Sequence, residues 1–265
     1  MLLSVVVVGM FSAAAFAIAP MGPPMAPLPQ GQYAGTFGYA FSDQNLEISG
    51  PVTGPGGEAF LSDIQSNMYY GGLVYGVADG WNVYGVAGIA DAEWPGDDGS
   101  PDFEGDSGFA FAIGCKKTIV KDEESGTVWG TVFQFSQARR INDDVRPVSG
   151  SPNTWGNAHI TSLDSDGITE TELDLYAIQL AAGPTVPLCE GVCLYGGPFL
   201  HFVEGDLETK ADSERVEYEL EQHLEIGAYV GLQAELGDPN VLLGAEFLWT
   251  GEAWGLGIGA TILCP

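Results

Sequence analysis

The sequence predicts an all-β protein, a closed antiparallel up-and-down transmembrane β-barrel of about ten strands, within a range of eight to twelve. Three observations lead there. The first is a run near the C-terminus, residues 217–236. Read at period two, one face carries Tyr218, Leu220, Leu224, Ile226, Ala228, Val230, Leu232, Ala234 and Leu236, broken only at Gln222. The other carries Glu219, Glu221, His223, Glu225, Gly227, Tyr229, Gly231, Gln233 and Glu235. At roughly 3.3 Å per residue this strand reaches about 60 Å, more than a globular sheet needs and suited to a tilted strand that crosses a bilayer and projects past it. A helical reading uses the four-residue recurrence of Leu220, Leu224, Ala228 and Leu232, but Gly227, Gly231 and the β-formers Ile226, Tyr229 and Val230 oppose it. The second observation is composition: 38 glycines, 45% hydrophobic and 17% charged residues are too apolar for disorder and too glycine-rich for a helical protein. The third is an alternation of long and short connections along the chain.

The elements follow in order. Residues 2–17 form an apolar stretch ending in Ala15-Phe16-Ala17, the pattern of a secretory signal peptide at 1–17. A Pro-rich N-terminal segment, 18–30, with Pro20, Pro23, Pro24, Pro27 and Pro29, reads as a linker or extended tail. The remainder, 31–265, is one barrel domain. Its strands are expected at 33–41, 68–78, 81–92, 108–120, 127–139, 170–187, 192–205, 217–236, 241–249 and 253–263. Asp79-Gly80 is the strongest hairpin signal. The last strand sets Trp254, Leu256, Ile258, Ala260 and Ile262 against Gly255, Gly257, Gly259 and Thr261, so its polar face is nearly all glycine.

Long connections are expected at 42–66, 93–107, 140–169 and 206–216, on the side that also carries the short turn at 250–252. Short turns at 79–80, 121–126, 188–193 and 237–240 share the other side with both termini. A sandwich has no reason to segregate them, whereas a membrane barrel pairs short turns on one side with longer loops on the other. Tyr69, Trp81, Trp94, Trp129, Trp249 and Trp254 stand near strand ends, where interfacial aromatic girdles sit. The net charge of −28, from 36 acidic against 8 basic residues, repels nucleic acid and makes cations the natural charged partners.

With the glycine-rich alternation of Tyr69-Tyr70-Gly71-Gly72-Leu73-Val74-Tyr75-Gly76 and Gly255-Leu256-Gly257-Ile258-Gly259-Ala260, the chain from about 31 to 263 resembles the small outer-membrane β-barrel proteins of Gram-negative-type bacteria, the opacity-type and porin-like families. The resemblance implies residence in the bacterial outer membrane with outer-membrane lipid as partner. It names no activity, since such barrels include pores, adhesins, anchors and a few enzymes.

Candidate chemistry is sparse. Cys189 and Cys193 flank a turn and form a disulfide candidate; Cys115 and Cys264 have no assigned pairing. Glu219, Glu221 and Glu225, with His223 on the same face, are candidates for cations, calcium first, projecting towards the lumen near its outer mouth; the competing reading is a solvated acidic rim. Length measured against a bilayer favours the rim and puts the crossing at 226–236. Zinc is disfavoured because His159, His201 and His223 are scattered. Glu235, Glu246, Lys116 and Arg140 are expected to face the lumen in a salt-bridge network. The Asp/Gly loops at 91–106 and 162–174 lack the helix–loop–helix calcium template. An enzyme would have to draw on His159, Asp164, Asp166 and Glu170, which form no catalytic motif, so no catalytic residue and no cofactor is assigned. The expected role is structural or surface-interacting, with at most a narrow cation-favouring pore and no nucleic-acid partner. The alternative is a secreted soluble barrel or sandwich that binds a small apolar ligand.

Overall fold

The structure, a computed structural model, describes residues 19–49, 59–94, 103–145, 154–155, 158–159, 169–211 and 214–264. Ten long strands run up and down: β1 (Tyr33–Ser49), β2 (Ala59–Ala78), β3 (Trp81–Ala90), β6 (Gly108–Lys121), β7 (Val128–Val145), β10 (Thr169–Cys189), β11 (Val192–Ala211), β12 (Glu214–Leu236), β13 (Asp238–Trp249) and β14 (Ala253–Cys264). Four two-residue strands lie between them: β4 (Glu93–Trp94), β5 (Phe103–Glu104), β8 (Thr154–Trp155) and β9 (Ala158–His159). Each long strand pairs with its sequence neighbours, and β1 closes the cylinder by pairing with both β2 and β14. The barrel is closed, antiparallel and ten-stranded, as the period-two pattern and the alternation of long and short connections predict.

Several connections expected as loops are strand. Residues 42–49 and 59–66 extend β1 and β2, 140–145 extends β7, and 206–211 with 214–216 extends β11 and β12. Their outward positions are polar, which weakens the apolar signal that would mark a strand. The loop expected at 93–107 carries β4 and β5, and the one at 140–169 carries β8 and β9. The segment expected as a signal peptide, 1–17, lies outside the described residues.

Inside the membrane section the outward face is apolar. Leu73, Ile113, Leu180, Val230, Leu232, Leu256 and Ile258 are all exposed to the surroundings. Tyr69, Trp81, Trp129, Trp249 and Trp254 are also exposed, as girdle residues must be. Trp94 departs from that expectation: it is 4% exposed and stacks on Phe103 at 3.9 Å inside the barrel, because β4 turns it inward.

Above this belt the polarity of the wall inverts. On β12, Leu224 and Ile226 are 63% and 75% exposed and face outward, while Tyr218 and Leu220 are 4% and 1% exposed and face inward. A bulge causes the change: His201 pairs with Glu225 but Val203 pairs with Gln222, which leaves 223 and 224 together opposite one residue. One extra residue flips every side chain beyond it. The oily face read as continuous from Tyr218 to Leu236 is therefore two half-faces on opposite sides of the sheet, and Glu219, Glu221 and His223 point outward rather than into the lumen. Bulges on β7, between the partners of Leu173 and Leu175, and on β2, between those of Gln44 and Leu46, act in the same way. At the β2 bulge Asp63 takes a φ of 58°.

The upper storey thus has a soluble protein's architecture. Leu46, Ile48, Leu61, Phe103, Ile141, Leu173, Leu207 and Leu220 fill its interior. It is also narrower. The β13–β14 connection is short, so above it β1 pairs directly with β12 through Glu47–Glu221, Ile48–Leu220 and Ser49–Glu219. On the other side β4 and β5 continue the wall where β3 and β6 end, joined to β7 by the bond from the Asp106 amide to the Asn142 carbonyl.

If Leu220 belongs to an upper core, Leu220→Ala costs about 2–4 kcal/mol. The outward-facing Glu219→Leu changes stability by roughly 0.5 kcal/mol or less. Urea unfolding in detergent micelles measures both, and equal effects would place the two residues on the same kind of surface.

Candidate functional site

The lumen is occupied by the chain's own N-terminal segment. Residues 19–30, read from sequence as a linker or tail, run inside the barrel from its middle down to the short-turn end. Proline removes backbone donors and favours extended geometry, so such a segment cannot pair as a strand and has to be held by side chains of the wall. Inward residues supply them. The Met21 amide donates to Glu246 Oε1 at 2.7 Å, the Ala26 amide to Thr118 Oγ1 at 3.1 Å and the Leu28 amide to Asn82 Oδ1 at 3.0 Å. Asn82 Nδ2 donates back to the Leu28 carbonyl at 2.9 Å, Lys116 Nζ donates to the Pro23 carbonyl at 3.0 Å and Gln134 Nε2 to the Ala19 carbonyl at 3.3 Å. Gln134 is itself fixed by Tyr84 and Gln179, each at 2.7 Å.

Glycine makes the room. A Cβ at Gly257 would sit 2.0 Å from Pro20 Cγ, one at Gly130 would sit 2.3 Å from the Pro24 carbonyl oxygen, and one at Gly76 would sit 2.0 Å from the Pro29 carbonyl oxygen. Gly257 on β14, Gly130 on β7 and Gly76 on β2 together leave the space through which the plug passes. A cavity of about 140 Å³ remains between plug and wall, bordered by Met21, Tyr70, Val86, Lys116, Glu246 and Gly259.

The lumen-facing candidates separate on this map. Glu246 and Lys116 face inward and hold the plug. They lie in each other's field without a direct ion pair, because each is spent on plug backbone. Glu235 is exposed at the short-turn end, against Gly191. Arg140 lies on β7, and its side chain is outside the described residues. All four cysteines are free thiols: Cys189 is exposed opposite Val192, whereas Cys193 lies opposite Pro187, so the proposed disulfide partners are not in register. Asp164 and Asp166 lie outside the described residues, as does the side chain of His159; Glu170 is exposed beside Lys210.

The outer face of the upper storey is a grid of carboxylates. Glu172, Glu208 and Glu217 stand directly across from one another on β10, β11 and β12; Asp174, Asp206 and Glu219 form a second row; Glu204, Glu221 and Glu47 form a third that ends on β1. Lys210 and Arg215 relieve only the first row, at 3.0 Å and 2.6 Å from Glu208. Like charges directly opposite destabilise a sheet. Burial, then Glu217, Asp174 and Glu219, push the Asp206 carboxyl above its ordinary range. Glu225, the third cation candidate, sits apart from the grid, accepting from the Glu252 amide at 3.4 Å. At the foot of the upper storey Asp91 is 1% exposed, and burial, then Glu93, push it up to about 7. Sequence reasoning saw neither the plug nor the grid as units, because both depend on which strands become neighbours.

The fold and its belt define a membrane-spanning β-barrel closed inside by its own chain. Among solved structures, the outer membrane protease OmpT of Escherichia coli is similar at 8% identity and a TM-score of 0.47, over 90% of this chain and 96% of that one. The translocator domain of the autotransporter NalP of Neisseria meningitidis is similar at 11% identity and a TM-score of 0.46, over 88% and 89%. Ail, the attachment invasion locus protein of Yersinia pestis, is similar at 15% identity and a TM-score of 0.38, over 89% and 99%. No protein-family model and no curated protein matches the chain.

Two outcomes check the site. Gly257→Val drives a side chain into Pro20; it is expected to lower stability by about 1–3 kcal/mol and to open residues 19–30 to proteinase K. Gly244→Ala, where a Cβ meets only a carbonyl at 3.8 Å, leaves both unchanged. For Asp91 the native carboxyl binds its proton more tightly than the unfolded one, near 3.9. Stability therefore falls as pH rises from about 4 to about 7. Asp91→Asn flattens that decline and raises stability by roughly 1–2 kcal/mol at pH 8, a figure reduced for solvent screening, as denaturant titrations across pH would record.

Proposed function

We propose that this protein is a bacterial outer-membrane β-barrel with a structural or surface-interaction role, its lumen sealed and its acidic upper storey presented outside the membrane. One observation carries the reading: the wall changes from apolar-outside to acidic-outside at the bulges, which matches a barrel leaving lipid for water. The role follows from the interior. The plug fills the membrane section and the apolar core fills the storey above, so neither half offers a diffusion path. The apolar belt also argues against the soluble alternative, which would leave a broad exposed hydrophobic surface in water. Catalysis is given no part in the proposal.

Two measurements test it. After fractionation the processed chain is expected in the outer-membrane pellet with heat-modifiable gel mobility; recovery as a soluble periplasmic or extracellular species would end the membrane reading. In planar bilayers the full processed chain is expected to carry no steady current. A stable cation-selective conductance would replace the sealed barrel with the narrow pore.

A further inference from the structure

We infer that the seam between β1 and β12 carries a binding site for one divalent transition cation of the zinc class, with Glu47, Glu221 and His223 as its protein ligands. One ligand atom from each of the three lies within 4.8 Å of the others, and His223 Nε2 stands 4.0 Å from Glu47 Oε2. Three donors around one zinc ion at about 2.0–2.2 Å sit about 3.4 Å apart, so small side-chain rotations close the set. The three residues come from two strands distant in sequence, and only the shortcut over the short β13–β14 hairpin brings them together.

The ligand set chooses the ion. Calcium takes six to eight oxygen ligands, and a pure carboxylate rim would suit it. Here a nitrogen donor, His223, completes the group, and imidazole with two carboxylates belongs to zinc and its neighbours. The histidine also sets this corner apart from the rest of the grid, where the rows hold carboxylates alone. The three ligands leave a coordination position open to water, since His223 is exposed and Glu47 and Glu221 are half-buried.

The seam gives the ion work. It is held by three register pairs, one of which sets Glu47 directly opposite Glu221. Two anions in that position repel, and a dication bound between them reverses the sign of the interaction. The surrounding grid raises the local cation concentration without choosing among cations. Glu219, a sequence candidate, lies opposite Ser49 and outside the group; Glu225 lies below the bulge.

The test uses the processed full chain in detergent micelles, freed of metal with a chelator and titrated with zinc by calorimetry in millimolar calcium. The wild type is expected to bind one equivalent and to unfold at a higher temperature with zinc. His223→Ala and Glu47→Gln each weaken binding about tenfold or more and abolish the thermal shift. Glu219→Gln, one row away, binds as the wild type does, and heat-modifiable mobility shows that each variant is folded. The inference is overturned if His223→Ala binds zinc unchanged, if Glu219→Gln loses as much as His223→Ala, or if calcium displaces zinc. The last two results would assign cations to the grid at large. None of these readouts depends on where the protein resides or whether the lumen is sealed.

Discussion

Each face of the wall has to match the medium it meets, and the medium changes halfway along the strands. In hydrocarbon a barrel must turn its apolar side chains outward and satisfy polar ones within; in water the preference reverses. A strand of strict alternation cannot do both. The bulges in β2, β7 and β12 resolve the conflict with one extra residue each, whereas β1, β10 and β11 keep their parity and change composition instead. On β11 the inward series from Tyr195 through Phe199 and Val203 to Leu207 is uninterrupted, and it is the outward series that turns from Leu194 and Leu200 to Glu204, Asp206 and Glu208.

The two storeys are filled by different means for the same reason. Above the bulges, large side chains meet across a narrower cylinder and exclude water on their own. Below them the cylinder has ten strands, and its inward positions include the glycines at 76, 130 and 257. That wall would leave a polar channel. The N-terminal segment occupies it, and its amides and carbonyls bond Glu246 Oε1, Asn82, Thr118, Lys116 and Gln134, groups that would be costly to bury without partners.

What could be read from the sequence follows from this. All ten long strands have alternation strong enough to read, because lipid demands an unbroken apolar row. The upper ends of β1, β2, β7 and β11 do not, because in water the outward row is polar, as at Glu47, Asp206 and Glu208, and Leu46, Ile48, Leu61, Ile141 and Leu207 remain as inward hints; on β12 Tyr218 and Leu220 keep the alternation legible. The face change at Gln222 shows in sequence as a single polar interruption, and it becomes a bulge only when the partner strand is known. Glu221 was legible as a cation candidate; Glu47 was not, since nothing in its own neighbourhood announces that β1 meets β12. The glycine row of β14 was visible, and the meaning of Gly257 within it was not until Pro20 of the plug lay against it.

The plug is joined to β1 by the turn at Gly31, whose φ of 82° folds the chain back on itself. Occupant and wall are therefore one short covalent hairpin. Binding of the segment is an intramolecular event, with an effective concentration on the order of millimolar set by a tether of only a few residues. Bonds that would hold a free peptide weakly are enough to keep this one in place, and any soluble competitor for the lumen has to overcome that local concentration as well as the contacts themselves.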